Sequence, residues 1–160
     1  MKQSIHLLPK ISDIDKIRKK YDPFYKKFKT HITLVYAFET KNQKELVNHI
    51  NKSIEKIKPF EISFGKFYAS NNFVCLEVIG RDCWKLYNNL NNGILAGFEN
   101  KEVTFKPHVS IGVLETDEKA KQLAQLLNLK PISSKVKINS LFLLTFNDDF
   151  SIKSKKTFKL

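Results

Sequence analysis

The sequence predicts an α+β fold: a bilobal, pseudo-twofold duplicated domain. Mostly antiparallel sheets are expected to face a central groove, with helices on their outer faces. Three observations lead there. The phrase His-apolar-hydroxyl-apolar occurs twice, as His31-Ile32-Thr33-Leu34 and His108-Val109-Ser110-Ile111. The flanks repeat as well, since Phe28-Lys29-Thr30 lines up with Phe105-Lys106-Pro107 at the same offset of 77. Each phrase is also set among strand and helix signals in the same order. Two units of this length are too few and too long for a solenoid. A single domain over residues 1–160 is expected instead, with one histidine reaching the groove from each half.

The elements follow in chain order. Ser4–Leu8 reads as a strand leading to a helix near Ser12–Tyr21, and the first phrase forms the next strand. Asn42 with Glu45 three residues on makes a capping box for a helix whose apolar stripe is Leu46, Val47, Ile50, Ile54 and Ile57. After Pro59, Phe60–Ala69 and Phe73–Ile79 form a hairpin joined at Asn71-Asn72. Phe73–Ile79 also opens the second unit, leading to a helix near Asp82–Leu90 and then to the second phrase. Thr116 or Asp117 caps a helix with Ala120, Leu123, Ala124 and Leu127 on one face. After Pro131, Lys135–Phe146 and Phe150–Leu160 form a second hairpin, joined at Asn147-Asp148-Asp149, with Phe73 and Phe150 again 77 apart.

Composition narrows the function classes. The chain has 160 residues, 42% of them hydrophobic, with 13 Phe, which suits one packed domain. No apolar run approaches the ~20 residues that span a bilayer. The apolar stretch near the N-terminus is too short for a signal peptide, so a cytoplasmic protein without a membrane partner is expected. Cys75 and Cys83 match neither a redox pair nor a zinc spacing and read as two buried thiols. The four histidines lie on separate elements with no acidic cluster beside them, so neither metal nor cofactor is expected. The formal net charge of +12 is almost all lysine, with Arg18 and Arg81 the only arginines. Runs such as Arg18-Lys19-Lys20 and Lys26-Lys27 read as solvated surface. The overall field still favours an anionic substrate. No glycine-rich phosphate loop is present.

In a strand, residues i and i+2 share a face. Each phrase therefore projects an imidazole and a hydroxyl together while its two apolar residues turn to the core. His31 and His108 form the candidate acid/base pair, in either assignment, because an imidazole populates both protonation states near neutrality. Thr33 and Ser110 are candidate donors to phosphate oxygens. Lys29 and Lys106 share the histidines' parity and are candidates for substrate binding, though frayed surface ends account for them equally well. Tyr36, Phe38, Tyr68 and Phe146 lie near strand ends, where an aromatic ring could stack a base, with core packing as the alternative. Of these, Tyr36 and Tyr68 are retained as candidates. Trp84 is expected to pack against a sheet. His6 and His49 lack a hydroxyl at i+2 and read as structural or exposed.

The paired phrases resemble the signature of the two-histidine (2H) phosphoesterases, the superfamily that includes the 2′-5′ RNA ligases and cyclic nucleotide phosphodiesterases. Both phrases fit its H-Φ-[ST]-Φ pattern (Φ apolar) at every position, and the likeness covers nearly the whole chain. Tyr21-Asp22-Pro23 and Pro107 are also typical. Thr30 departs from the pattern, standing where many relatives have Pro. The resemblance implies a phosphodiesterase acting on RNA ends or a small cyclic nucleotide carrying a 2′,3′-cyclic or 2′-5′ phosphodiester. It equally implies the reverse reaction, RNA 2′-5′ end joining. A non-catalytic RNA-binding module in the same groove is the alternative from another class.

Overall fold

The computed structural model describes residues 1–98 and 104–160. Two four-stranded sheets, antiparallel at every pairing, form its frame. Strands β1 (Gln3–Leu7), β2 (Ile32–Phe38), β7 (Ser140–Phe146) and β8 (Ile152–Lys159) make the first, in the order β2-β1-β7-β8. Strands β3 (Phe60–Ser70), β4 (Phe73–Ile79), β5 (His108–Val113) and β6 (Val136–Ile138) make the second, in the order β5-β4-β3-β6. The helices are α1 (Ser12–Tyr21), α2 (Gln43–Ile54), α3 (Arg81–Leu90) and α4 (Asp117–Leu127).

Local chemistry sets the boundaries. Asn42 accepts a hydrogen bond from the Glu45 backbone N–H, and Thr116 accepts one from that of Lys119, so both expected caps form. Helix α1 has no side-chain cap. It carries Asp13 and Asp15 in its first turn and Arg18, Lys19 and Lys20 in its last, which complements the helix dipole. The β3–β4 hairpin turns at Asn71, whose φ of 52° lies in the left-handed region that Asn tolerates.

Strand parity in the two phrases is as the alternation requires. Ile32, Leu34, Val109 and Ile111 are all fully buried, while Thr33, His108 and Ser110 are only half-buried. Burying one such aliphatic side chain contributes about 1.5–3 kcal/mol. A single hydrogen bond adds about 0.5–1.5 kcal/mol net. The apolar pair of each phrase therefore decides which way the imidazole and hydroxyl point. The buried residues of both sheets form a continuous core.

Two expectations need correction. Lys135–Phe146 is not one strand: β6 pairs with β3 in the second sheet, the chain crosses at Asn139, and β7 pairs with β1 in the first. The alternation of Val136-Lys137-Ile138 stops at the polar pair Asn139-Ser140, and an apolar run, Leu141-Phe142-Leu143-Leu144, follows; that break marks the change of sheet. Phe150 does not open β8. It lies in the preceding turn with φ 59°, its N–H donating to the Asn147 carbonyl at 3.0 Å, and the strand begins at Ile152.

The repeat units are also interleaved. The second unit's hairpin, β7–β8, completes the sheet that carries the first phrase, and the first unit's hairpin, β3–β4, completes the sheet of the second. Helix α1 leaves the first sheet to pack on β5 of the second, and α3 packs on β2. Gly112 permits the first of these contacts. A Cβ there would lie 2.8 Å from both the Cβ and the carbonyl oxygen of Tyr21, so only glycine lets β5 approach the end of α1.

Candidate active site

β2 and β5 are edge strands of their sheets, and they meet each other. The site is built where they meet. His31 immediately precedes β2 and His108 is the first residue of β5. Each ring is tethered in the same way: His31 Nδ1 lies 2.8 Å from the Lys29 carbonyl, and His108 Nδ1 lies 2.7 Å from the Lys106 carbonyl. A carbonyl only accepts, so Nδ1 carries the hydrogen in both rings, and Nε2 is left as the nitrogen available for proton transfer. Lys29 and Lys106 thus serve the site first through their backbones. Their side chains are exposed at cavity walls, Lys29 on the β2 side and Lys106 on the β5 side.

The segment leading into His31 is held by Arg18, which is buried and not part of a solvated basic run. Its guanidinium donates to Asp22, to the Thr30 hydroxyl and to the Phe28 carbonyl, while Thr30 donates to Asp15. The sequence pattern Arg-Lys-Lys concealed this because only the first of the three faces inward. Burial pulls the His31 pKa below its ordinary 6.5; the Lys29 carbonyl opposes this, Arg18 adds to it, Asp22 opposes it, and the field of His108 adds to it. The two phrase histidines are therefore electrostatically within reach of each other. A narrow cleft of about 130 Å³ joins the halves, bounded by Arg18, Asp22, Phe28, His31, Ser110 and Gly112.

Larger cavities open on either side. On the β2 side, about 460 Å³ is enclosed by His31, Thr33, Phe28, Leu144, Phe146 and Phe150, with Lys26, Lys27, Lys29 and Lys155 among its lining residues. On the β5 side, about 770 Å³ is lined by His108, Lys106, Tyr68, Ser70, Thr104 and Tyr87. Tyr36, about half exposed, borders both cavities. Burial raises the pKa values of Tyr36 and Tyr68 above their ordinary 10, so both hydroxyls remain protonated donors. Phe38 is buried in the core with its ring 5.7 Å from that of Phe98, so it is not a stacking surface. Phe146 is also buried, yet it reaches the β2-side cavity, its ring edge-on to Phe28 at 6.2 Å.

Sequence reasoning missed His6. It is buried and belongs to the site: its ring stands perpendicular to that of His31 with centroids 4.9 Å apart. Its Nδ1 is 3.3 Å from the Thr33 hydroxyl and its Nε2 is 2.5 Å from the Ser4 hydroxyl. Burial, and then the charge of His31, drive its pKa down to about 3, so it stays neutral. The signal was present in reversed order, as Ser4-Ile5-His6, a hydroxyl and an imidazole on one strand face. His49 is structural as expected, bonding the Leu90 carbonyl at 2.9 Å.

The corresponding position behind Ser110 is Cys75, its cross-strand partner. Cys75 and Cys83 are free and buried, as expected, and burial pushes their thiols up to about 11 and about 12. Cys75 shares a hydrogen bond with Tyr68. Trp84 does not pack flat on a sheet; it is 40% exposed, edge-on to Phe105 at 5.1 Å, while Tyr87 stacks on the same ring at 3.9 Å. Among the described residues, no three His, Cys, Asp or Glu side chains gather as a metal ion would need. What the site offers is two imidazoles whose Nε2 atoms have no hydrogen-bond partner among the described residues, two nearby hydroxyls and a surrounding excess of lysine.

A model of the 2′-5′ RNA ligase superfamily matches residues 8–150. A Geobacillus thermodenitrificans protein named "Putative phosphoesterase" is 35% identical over 121 residues, covering 70% of this chain and 69% of its own. A protein of the same description from Bacillus cereus is 28% identical over 169 residues, covering 100% and 97%. Among solved structures, Kluyveromyces marxianus Usb1 with uridine monophosphate superimposes with a TM-score of 0.61 at 14% identity, covering 99% of this chain and 98% of its own. Escherichia coli LigT complexed with NADP+ gives the same TM-score, identity and coverage. These two likenesses are of fold.

Proposed function

Because the chain belongs to the 2′-5′ RNA ligase superfamily, we propose that it is a metal-independent phosphodiesterase for 2′,3′-cyclic phosphate or 2′-5′ linked RNA and nucleotide substrates. Residues 1–160 act in this reading as a single domain with one site shared by its two halves. The observation that carries the proposal is the matched tethering of His31 and His108 by backbone carbonyls at 2.8 and 2.7 Å. Binding alone does not call for two imidazoles fixed in the same tautomer with the same nitrogen left free.

The phosphodiester lies at the junction of β2 and β5. His31, kept neutral near pH 7 by burial, takes a proton from the attacking water. The water oxygen bonds to phosphorus, the bond to the leaving ribose oxygen breaks, and His108 gives that oxygen its proton. Thr33 and Ser110 donate to the non-bridging oxygens, where negative charge grows in the transition state. Lys29 and Lys106 add positive field from opposite sides, and Tyr36 and Tyr68 offer a ring face and a hydroxyl to the nucleoside. RNA end joining is the same chemistry run backwards. Proteins of similar fold were solved with uridine monophosphate and with NADP+, which supports a nucleotide as substrate. Among the described residues no helix is long and apolar enough to cross a membrane.

The test is incubation of the purified protein, with chelator present, against 2′,3′-cyclic nucleotides and 2′-5′ linked oligonucleotides. Hydrolysis is expected, and whether a 2′- or 3′-phosphate remains identifies the bond broken. Salt-sensitive RNA binding with no cleavage of any member would instead favour the binding module.

A further inference from the structure

We propose that His6 is a positioning residue: it holds the Thr33 hydroxyl so that the hydroxyl's own hydrogen is aimed at the substrate. The inference rests on the phosphodiesterase reading above and adds to it a residue outside the two repeated phrases. Four observations converge. His6 and Thr33 are cross-strand partners in the β1–β2 pairing. The His6 Nδ1 lies 3.3 Å from the Thr33 Oγ1. The other ring nitrogen is occupied by the buried Ser4 hydroxyl. The ring is packed edge-on against His31, which limits its rotation.

These contacts form a short chain whose direction is set by the His6 tautomer. A neutral imidazole donates from one nitrogen and accepts at the other. In the proposed tautomer Ser4 donates to Nε2, so Nδ1 carries the hydrogen and donates it to Thr33 Oγ1; the opposite tautomer would turn the Thr33 hydrogen onto Nδ1 and away from the substrate. The oxygen of Thr33 is then occupied as an acceptor, and its hydrogen is left for the phosphate. A hydroxyl so fixed needs no reorganisation as charge develops on the phosphate oxygens, and this is where such a donor gains most of its effect. Among the described residues the other half has no equivalent. Behind Ser110 stands Cys75, a weak hydrogen-bonding group already engaged with Tyr68. In this reading Thr33 is the oriented donor, whereas Ser110 has no such side-chain backing among the described residues.

His6→Phe keeps the ring volume and removes both hydrogen bonds, whereas His6→Asn retains a donor near the Nδ1 position. With a 2′,3′-cyclic nucleotide, His6→Phe is expected to lower kcat by about 10- to 100-fold, the scale of a lost transition-state donor, with KM nearly unchanged. His6→Asn should recover most of the loss. In a Thr33→Val background, His6→Phe should cost nothing further. An equal loss in both backgrounds, or no recovery with Asn, overturns the inference. A second measurement needs no turnover: long-range proton–nitrogen NMR of the ligand-free, nitrogen-15-labelled protein at pH 5. It should show His6 neutral with its hydrogen on Nδ1, and a hydrogen on Nε2 or a charged ring overturns the inference. If wild-type protein cleaves none of the substrates, the phosphodiesterase reading fails, while the NMR result still decides the hydrogen-bond chain.

Discussion

On the β2 side, the hydroxyl of Thr33 is backed by an imidazole that is itself held by a buried serine, and the neighbouring cavity is walled by Phe28, Leu144, Phe146 and Phe150. On the β5 side, the hydroxyl of Ser110 is backed by a thiol, and the larger cavity beside it presents Tyr68, Ser70 and Thr104. The histidines are nevertheless tethered alike to within 0.1 Å. Backbone geometry is shared by both halves because the same local phrase produces it. The layer behind differs because β1 and β4 contribute different residues at equivalent registers. A duplicated fold can therefore keep a symmetric pair of tethered imidazoles while placing different side chains behind the two neighbouring hydroxyls.

The most severe way to break the comparison is to remove a histidine. His31→Ala and His108→Ala should each abolish turnover of a cyclic phosphate, a loss of about 10²–10⁴-fold or more for a missing acid or base, with circular dichroism and melting temperature close to wild type. Near-normal hydrolysis by either variant would show that the two halves do not share one reaction. Next come the hydroxyls. Thr33→Ala should cost about 10²-fold in kcat, the scale of a missing oxyanion donor, and Ser110→Ala clearly less, because its hydroxyl is not oriented in advance. Equal losses would mean that the second layer makes no difference.

Gly112→Ala tests whether the halves must be held close. The new methyl would meet the Tyr21 backbone at 2.8 Å, so α1 must move away from β5. A destabilisation of about 1–3 kcal/mol, typical of overpacking, should appear in chemical denaturation. Activity should fall with it, since the cleft shared by His31 and Ser110 widens. Unchanged stability and rate would show that the junction is slack.

The mildest test is pH. Because burial lowers the His31 pKa from 6.5, the neutral base persists below that value. The acid limb of kcat/KM, which reports the free enzyme, should bend below pH 6.5; a bend at or above 6.5 would reverse the assignment of base and acid. His6 adds a stability term. Its folded pKa of about 3 lies below the ordinary 6.5, so the unfolded chain binds the extra proton. This contribution is complete above pH 6.5 and is lost as pH falls toward 3. Melting temperature should therefore fall less steeply with acid in His6→Phe than in wild type.

The four residues of the two phrases, both helix caps and the Asn71 turn were legible because each depends on neighbours within about four positions. Strand period places Ile32 and Leu34 inward, and that alone sends His31 and Thr33 the other way. By contrast, the crossing at Asn139 is marked only by the polar pair Asn139-Ser140, between the alternating Val136-Lys137-Ile138 and the apolar run that follows. That break does not say which strand each side pairs with. Arg18 looked like its lysine neighbours until Thr30 and the Phe28 carbonyl were brought to it.

The sequence by itself determined that two imidazole–hydroxyl pairs exist, that each shares a strand face, and that the chain is a duplication. Tertiary structure alone decided that the units interleave, that the motif-bearing edge strands meet, and that His6 stands behind Thr33 while Cys75 stands behind Ser110. The physical reason is that periodicity reports which face a residue takes, whereas its neighbour across the ladder is set by register between strands far apart in the chain.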